Sequence, residues 1–363
     1  FHHPDTVRLN DTTLARYRER RKPPAQPLLR TPPDVEPPKE IPGPHPIQQE
    51  ALRTLNQTRE RGNKAGLVVL ATGLGKTWLS AFDSADFQRV LFVAHREEIL
   101  GQAMRTYRRI RPNASFGFYT GQEKNNDANV LFASVQTLGK AKHHQQFPRE
   151  HFDYIVVDEF HHAAAATYRR LIDYFEPQFL LGLTATPERT DGGDLLGLCG
   201  ENLVYRCDLA EGIRRDLLCP FRYYGVPDEV DYSNIPWRSS RFDSEALTNA
   251  VATQSRAANA LEQYRQHGGN RTVAFCCSKT HADFMASYFR ENGLRAVSVH
   301  SGPDSAPRAA SLEKLGKGEL DIICSVDMFN EGLDVPQIDT VMMLRPTESR
   351  VLWLQQFGRG LRR

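Results

Sequence analysis

The chain has 363 residues, with 46 Lys or Arg against 44 Asp or Glu, so its formal net charge at neutral pH is only +2. This length suits two domains. The nearly balanced charge of the whole protein does not indicate a nucleic-acid partner, so any such binding must come from a local patch. No apolar run approaches the ~20 residues of a membrane span, and no signal-peptide pattern is present.

The first part of the chain differs from the rest. Residues 1–43 are dense in proline, which prevents regular helix or sheet, and they predict an extended lead or linker. Within it, the basic run ARYRERRK (Ala15 to Lys22) is interpreted as a solvated helix end, with a phosphate-contacting arm as the alternative. A chain that starts at Phe1 is not expected to start at its natural N-terminus.

Short apolar runs then alternate with amphipathic segments, which is typical of βαβ units around a parallel sheet. A polar stretch near Pro227–Glu245 interrupts this alternation. The sequence therefore predicts an α/β domain over 44–226, a linker over 227–245 and a second α/β domain over 246–363. The predicted strands are Leu67–Leu70, Val90–Val93, Val130–Ala133, Tyr154–Val157, Phe179–Leu183, Thr272–Phe275, Ala296–Val299, Asp321–Cys324 and Thr340–Leu344, and the predicted helices include Glu97–Arg109, Ala163–Phe175 and Ala246–Gln266.

The stretch GLVVLATGLGKTW joins a buried strand to a glycine-rich turn. Its glycines allow a tight loop whose N–H groups point at one anion, Lys76 adds a positive charge, and Thr77 offers a hydroxyl to a metal ion. The P-loop pattern has glycine at its first position, where this chain has Leu70. A glycine-rich turn after a core strand is the structural alternative. The predicted phosphate-binding residues are Thr72, Gly73, Leu74, Gly75, Lys76 and Thr77.

The stretch YIVVDEFHHA ends a second apolar strand in two carboxylates. Ligands of open α/β sheets bind at this end of the strands. We expect Asp158 to hold Mg²⁺ together with Thr77, and Glu159 to activate a water for attack on a γ-phosphate. Carboxylates that cap the next helix are the alternative. Adjacent histidines do not face each other, so a hydrogen-bonding sensor role for His161 is preferred to a metal site.

Two further stretches extend this pattern. LLGLTATP ends a strand in Thr184 and Thr186, whose hydroxyls can link the carboxylates to a mobile part. LWLQQFGRGLRR places Arg359 and Arg362 three residues apart, on one face of a predicted helix. Such guanidinium groups stabilise a transferring phosphoryl group, and a solvated basic helix end is the alternative. ATP between the two domains would then act as a bridge that hydrolysis loosens.

The ordered set LATGLGKT, VVDEFHHA, GLTATP, NEGLDVP and QQFGRGLRR resembles the superfamily 2 helicases and translocases, specifically the DExH group with type III restriction motor subunits and bacterial DNA-repair helicases. The resemblance covers about residues 44–363. It implies two tandem RecA-like parallel-sheet domains with an ATP cleft between them. It further implies an ATPase that uses ATP and Mg²⁺, acts on DNA, and is bacterial, cytoplasmic and nucleoid-associated.

The resemblance also implies roles for single residues. Gln48 is expected to read adenine, Asp334 to face the ribose, and Gln355 to sense the γ-phosphate. Hydroxyl, amide and guanidinium groups that grip a nucleic-acid backbone without reading bases are expected from both domains. These predicted contacts are Arg96, Thr120, Gly121, Gln136, Thr137, Ser278, His300, Ser301, Gly302 and Ser325.

Three functions remain open on the sequence. The leading one is a DNA translocase or helicase in repair, restriction or phage defence, within a larger protein or complex whose second domain continues beyond Arg363. The others are an RNA helicase and a nucleotide-gated scaffold that binds nucleic acid or a partner without unwinding. The absence of cysteine between Lys76 and Asp158 excludes the iron–sulfur branch, and no strand-separating pin is recognisable.

Overall fold

The computed structural model describes residues 43–163, 165–186, 195–238, 241–326, 338–346 and 349–361. Its helices are α1 Pro46–Glu60, α2 Lys76–Asp83, α3 Glu97–Ile110, α4 Val135–Leu138, α5 Ala141–His144, α6 Ala166–Ile172, α7 Leu209–Arg214, α8 Ser244–Val251, α9 Gln254–His267, α10 Lys279–Glu291, α11 Arg308–Gly316 and α12 Arg350–Phe357. Within the described ranges, no helix is long and apolar enough to cross a membrane.

The first sheet has seven parallel strands in the order β3-β4-β2-β5-β6-β1-β7. These strands are β1 Ala65–Leu70, β2 Val90–Ala94, β3 Phe116–Tyr119, β4 Val130–Ser134, β5 Tyr154–Val157, β6 Phe179–Thr184 and β7 Leu203–Cys207. Successive residues of β1 serve opposite faces: Val68 packs in one core cluster and Val69 in another. Both faces of the sheet are therefore covered, as the continuous apolar runs of a buried parallel sheet require.

The second sheet has four parallel strands in the order β11-β12-β10-β13. They are β10 Thr272–Phe275, β11 Ala296–Val299, β12 Ile322–Ser325 and β13 Thr340–Met343. A short antiparallel hairpin, β8 Trp237–Arg238 with β9 Arg241–Phe242, lies in the chain between the two sheets. The prediction of an α/β fold with two parallel sheets is confirmed.

A buried ionic cluster ties together three elements of the first sheet's domain. Arg59 of α1 donates to both carboxylate oxygens of Asp83, at 2.7 and 2.8 Å, and the hydroxyl of Tyr154 donates to the same carboxylate. Burial, together with this carboxylate, raises the pKa of Tyr154 well above 10. Asp83 ends the helix that begins at Lys76, and Tyr154 begins the strand that leads to Asp158, so the cluster holds both candidate site segments in place.

Some local expectations differ from the structure. The predicted helix Ala246–Gln266 is two helices, because Thr253 caps the second by accepting a hydrogen bond from the Arg256 N–H at 3.4 Å. The predicted helix Ala163–Phe175 is shorter, at Ala166–Ile172. Strands β3 and β7 lie at the two edges of the first sheet, where buried residues are interspersed with partly or fully exposed ones. They have no continuous apolar run, so the sequence does not predict them.

Candidate functional site

Three neighbouring strands bring the predicted nucleotide residues together. Strand β6 lies between β1 and β5, and its last residue, Thr184, pairs with Val69 of β1. Because the strands are parallel, the loop after β1, Thr184 and the carboxylates after β5 all lie at the same edge of the sheet. The sequence motifs meet where the sheet topology requires them to meet.

The loop after β1 has the backbone that its glycines permit. Gly73 and Gly75 have φ values of 95° and 79°, in the left-handed region that favours glycine. A Cβ on Gly75 would lie 2.5 Å from the Gln48 amide nitrogen, so a side chain there would be both strained and blocked. The chain then enters α2 at Lys76. The loop therefore needs glycine at Gly75 both for its backbone conformation and for its close contact with Gln48.

Gln48 is fixed beside this loop. Its amide oxygen accepts a hydrogen bond from the His45 N–H at 2.9 Å, and its amide nitrogen donates to the Gly75 carbonyl at 3.3 Å. Its predicted role toward adenine stays a prediction, and its observed contact is with the glycine-rich loop after β1. Lys76 Nζ lies 3.5 Å from the Leu70 carbonyl oxygen, folded over the mouth of the loop.

The two carboxylates after β5 are buried. Asp158 accepts a hydrogen bond from the Glu159 N–H at 3.0 Å. Glu159 has a φ of 50°, a left-handed conformation that is uncommon for a residue with a side chain. Its Oε2 atom is buried without a hydrogen bond to any described residue. A buried carboxylate oxygen in this condition fits a residue that binds a water or substrate.

A short chain of contacts leads from Glu159 to the end of β6. Glu159 Oε2 lies 3.4 Å from His161 Nδ1, which lies 3.3 Å from Thr184 Oγ1. The Thr184 hydroxyl donates to the Thr186 carbonyl at 2.7 Å and accepts from the Thr186 N–H at 3.2 Å. The arrangement matches the predicted linking role of these residues, and that role stays a prediction.

The arginine motif lies against the glycine-rich loop after β1. Helix α12 ends at Phe357, and Gly358–Leu361 form a 3₁₀ turn rather than the predicted helix, because the two glycines favour no regular α-helix here. A Cβ on Gly358 would lie 3.0 Å from Thr72 Cβ, and the Leu361 carbonyl accepts a hydrogen bond from the Cys219 N–H at 2.9 Å. Leu361 packs in the same core cluster as β1.

The structure therefore brings this segment, which follows the second sheet, to the glycine-rich loop after β1 of the first sheet. Arg359 is 4% exposed and Gln355 is equally buried, beside the turn that touches Thr72. Arg362 and Asp334 lie outside the described residues, so their predicted roles stay predictions.

The residues near the first sheet that are predicted to contact a nucleic-acid backbone fall into two groups. Arg96 Nε donates to the His95 ring at 3.2 Å, and the Gln136 amide donates to the His95 carbonyl at 2.7 Å, so one residue organises both side chains. Thr137 is buried, and its hydroxyl accepts from Ser134 at 3.0 Å. Thr120 is buried too, and its hydroxyl accepts from N–H groups of the turn that contains Gly121.

The predicted contacts of the second sheet are mostly engaged within the protein. The Ser278 hydroxyl caps α10 by accepting from the His281 N–H, and it also accepts from Thr248. His300 is buried between Asp283, 3.0 Å from its Nε2, and the Gly302 N–H, which donates to its Nδ1 at 3.0 Å. Ser325 is fully buried, whereas Ser301 is exposed. We expect the buried residues of this set to act indirectly, by fixing the conformation of the protein backbone that faces the nucleic acid.

Two residues of these sites, His95 and Asp283, were not predicted. His95 positions Arg96 and Gln136, and its ring meets the ring of His162 at 5.0 Å, which links the carboxylate segment to Arg96. Asp283 orients His300. Nothing in the order of the residues indicates the Asp283 contact, because helix α10 brings Asp283 to the end of β11. The position of His95 directly before Arg96 was the one available signal.

Comparison with known proteins bears on both halves of the chain. Residues 42–189 match the family profile described as type III restriction enzyme, res subunit, and residues 256–363 match the helicase conserved C-terminal domain. The two matches occur in the order of the two sheets. The chain contains a superfamily 2 helicase core.

Individual relatives agree with this assignment of the helicase core. It is 29% identical over 339 residues to a putative ATP-dependent helicase, IRC3, of Saccharomyces cerevisiae, covering 87% of this chain and 49% of the relative. It is 24% identical over 358 residues to the endonuclease subunit of the type I restriction enzyme EcoAI of Escherichia coli, covering 86% of this chain and 43% of that one. The chain thus spans about half the length of these curated relatives or less.

Solved structures share the fold of the helicase core. A fragment of a putative HsdR subunit of a type I restriction enzyme from Vibrio vulnificus aligns with a TM-score of 0.62 at 24% identity, covering 87% of this chain and 60% of that one. The type ISP restriction-modification enzyme LlaBIII, bound to DNA, aligns with a TM-score of 0.63 at 18% identity, covering 90% and 27%. At these identities the likeness concerns the fold alone.

Proposed function

We propose that the chain is the ATP-driven motor of a DNA translocase or helicase, formed by a nucleotide-binding lobe over 44–226 and a second lobe over 246–363. The observation that carries the proposal is the packing of the arginine motif on the phosphate-binding loop, where Gly358 meets Thr72 and Arg359 is buried. A group bound at the loop would then have residues of both lobes around it. Hydrolysis of ATP at this position would change the contacts between the lobes and so allow them to move relative to each other.

The residues present fit ATP and Mg²⁺. Gly73 and Gly75 give the loop the left-handed backbone that favours glycine, and Lys76 supplies the positive charge for phosphates. Thr77 and Asp158 are the hydroxyl and carboxylate that would hold Mg²⁺, which prefers oxygen ligands. When bound, ATP supplies the free energy of its hydrolysis.

The remaining chemistry belongs to the chain's own side chains. Glu159 Oε2, buried and without a hydrogen bond to the described residues, would orient a water and accept its proton. His161 and Thr184 would hold Glu159 in position through the contacts described above. Arg359, with Arg362, would stabilise negative charge as it develops on the phosphoryl oxygens, and Gln355 would contact the same group.

DNA is the proposed track for two reasons. Arg96 and Gln136 are at least partly accessible and offer backbone-gripping groups that read no bases. Relatives include proteins named a putative DNA 3′-5′ helicase, Rad25, and a DNA 3′-5′ translocase, XPB2. We propose roles in repair, restriction or phage defence, with further domains or subunits as partners and a bacterial cytoplasmic, nucleoid-associated location.

The test is the ATPase rate of the purified protein alone and with duplex DNA, single-stranded DNA or RNA. We expect DNA of at least one form to raise the rate several-fold, because the track and the nucleotide site belong to one pair of lobes. Stronger stimulation by RNA would assign the protein to RNA instead. An ATPase rate that no nucleic acid changes would contradict the proposal. If DNA does raise the rate, a strand displacement assay distinguishes a helicase, which separates the strands, from a translocase, which does not.

A further inference from the structure

One ion pair joins the two lobes on the side of the proposed nucleic-acid contacts. Arg308 Nη1 lies 2.6 Å from Glu98 Oε2, between residues 210 positions apart in the chain. Glu98 belongs to the first turn of α3, in the lobe of the first sheet, and Arg308 is the first residue of α11, in the lobe of the second. The pair is therefore a direct contact between the lobes.

Each partner of the ion pair comes shortly after a segment that is proposed to contact the nucleic-acid backbone. Glu98 comes two residues after Arg96, the N-cap of α3. Arg308 comes six residues after Gly302, and the connection is fixed: the Ser305 hydroxyl accepts from the His300 N–H at 2.9 Å, and the Ala306 N–H donates to the Ser298 carbonyl at 3.0 Å. The start of α11, and with it the backbone of Arg308, is thus held in place relative to the segment 300–302.

The two partners differ in how firmly the protein holds them. The Arg308 side chain is 16% exposed, whereas the Glu98 side chain is 56% exposed. A half-solvated carboxylate loses little when it leaves an ion pair for water. It also stays favourable in the first turn of its own helix, while a cation in the first turn of α11 is unfavourable without an anion beside it. The carboxylate is therefore the replaceable partner.

We propose that Arg308 is a further phosphate contact of the nucleic-acid track, and that Glu98 masks it when no nucleic acid is bound. The inference rests on the proposed function. A phosphate of a nucleic-acid backbone offers a guanidinium two acceptor oxygens, as a carboxylate does, and it also carries a negative charge. Phosphate binding and the Arg308–Glu98 pair exclude each other, so nucleic acid breaks a contact between the lobes.

The experiment compares Glu98→Gln with Arg308→Gln by fluorescence anisotropy of labelled duplex and single-stranded DNA oligonucleotides, without nucleotide and over a range of salt. Both variants lose the same ion pair, yet we expect opposite effects on affinity. Glu98→Gln should bind about two- to fivefold more tightly, because the competing carboxylate is gone. Arg308→Gln should bind about five- to tenfold more weakly near 0.1 M salt, with a salt slope smaller by about 0.7–0.9.

The matched controls are Glu97→Gln, which removes the same charge from the neighbouring position of the first turn, and Lys314→Gln, which removes a charge from an exposed position of α11. Thermal melting of all variants checks folding. Affinity changes of the same sign in the two test variants, or changes no larger than those of the controls, would overturn the inference while leaving the proposed function intact. A wild-type protein that binds neither DNA nor RNA would instead contradict the proposed function itself.

Discussion

Replacing Lys76 with alanine should weaken ATP binding at least ~30-fold and leave no measurable hydrolysis. The reason is that truncating one partner of a close charge pair at a desolvated site costs about 2–5 kcal/mol. Fold damage is not expected, since among the described residues the Lys76 ammonium has one long hydrogen bond, 3.5 Å to the Leu70 carbonyl. The measurement is titration calorimetry with ATP and Mg²⁺, followed by a phosphate-release assay.

The matched control is Lys64→Ala, which removes the same charge from an exposed residue just before the other end of β1. This control should bind ATP like the wild type. If Lys76→Ala also binds ATP normally, the glycine-rich stretch is a turn after a core strand, and the phosphate-binding interpretation is wrong.

Replacing Glu159 with glutamine should leave ATP binding nearly unchanged and lower the hydrolysis rate by about 10²-fold or more. Glutamine has the same shape but cannot take a proton from water, and general base catalysis contributes about 10²–10⁴-fold. Rapid-quench single-turnover hydrolysis separates this chemical step from product release.

A suitable control is Glu201→Gln. Glu201 is exposed and has a φ of 59°, so it reproduces both the substitution and the left-handed backbone of Glu159, whose φ is 50°. Wild-type hydrolysis in Glu159→Gln would remove the general-base assignment, while equal losses in both variants would point to backbone strain rather than to proton transfer.

The strands were predictable because parallel sheets buried on both faces leave continuous apolar runs. Tyr154–Val157 was predicted with its observed bounds. The site residues at strand ends were predictable for a related reason: the strand fixes which edge of the sheet Asp158 and Thr184 occupy. Local residue order was sufficient for these features.

Features that depend on long-range contacts could not be read from the sequence. Buried His300 contacts Asp283 of α10, and the Ser278 hydroxyl that caps α10 also accepts a hydrogen bond from Thr248 of α8. The Arg308–Glu98 pair needs both lobes in place. Backbone-contact residues carried over from a family pattern therefore require the structure to separate accessible side chains from those that only support the backbone.

The central claim is that one triphosphate contacts residues of both lobes at once. Its most direct test is Arg359→Ala, measured for ATP affinity by calorimetry and for single-turnover hydrolysis, with melting temperature as the check on folding. We predict a loss of hydrolysis on the order of 10³-fold with ATP still bound at the Lys76 lobe. Unchanged hydrolysis in a folded Arg359→Ala protein would show that the second lobe takes no part in the reaction, and would contradict the account.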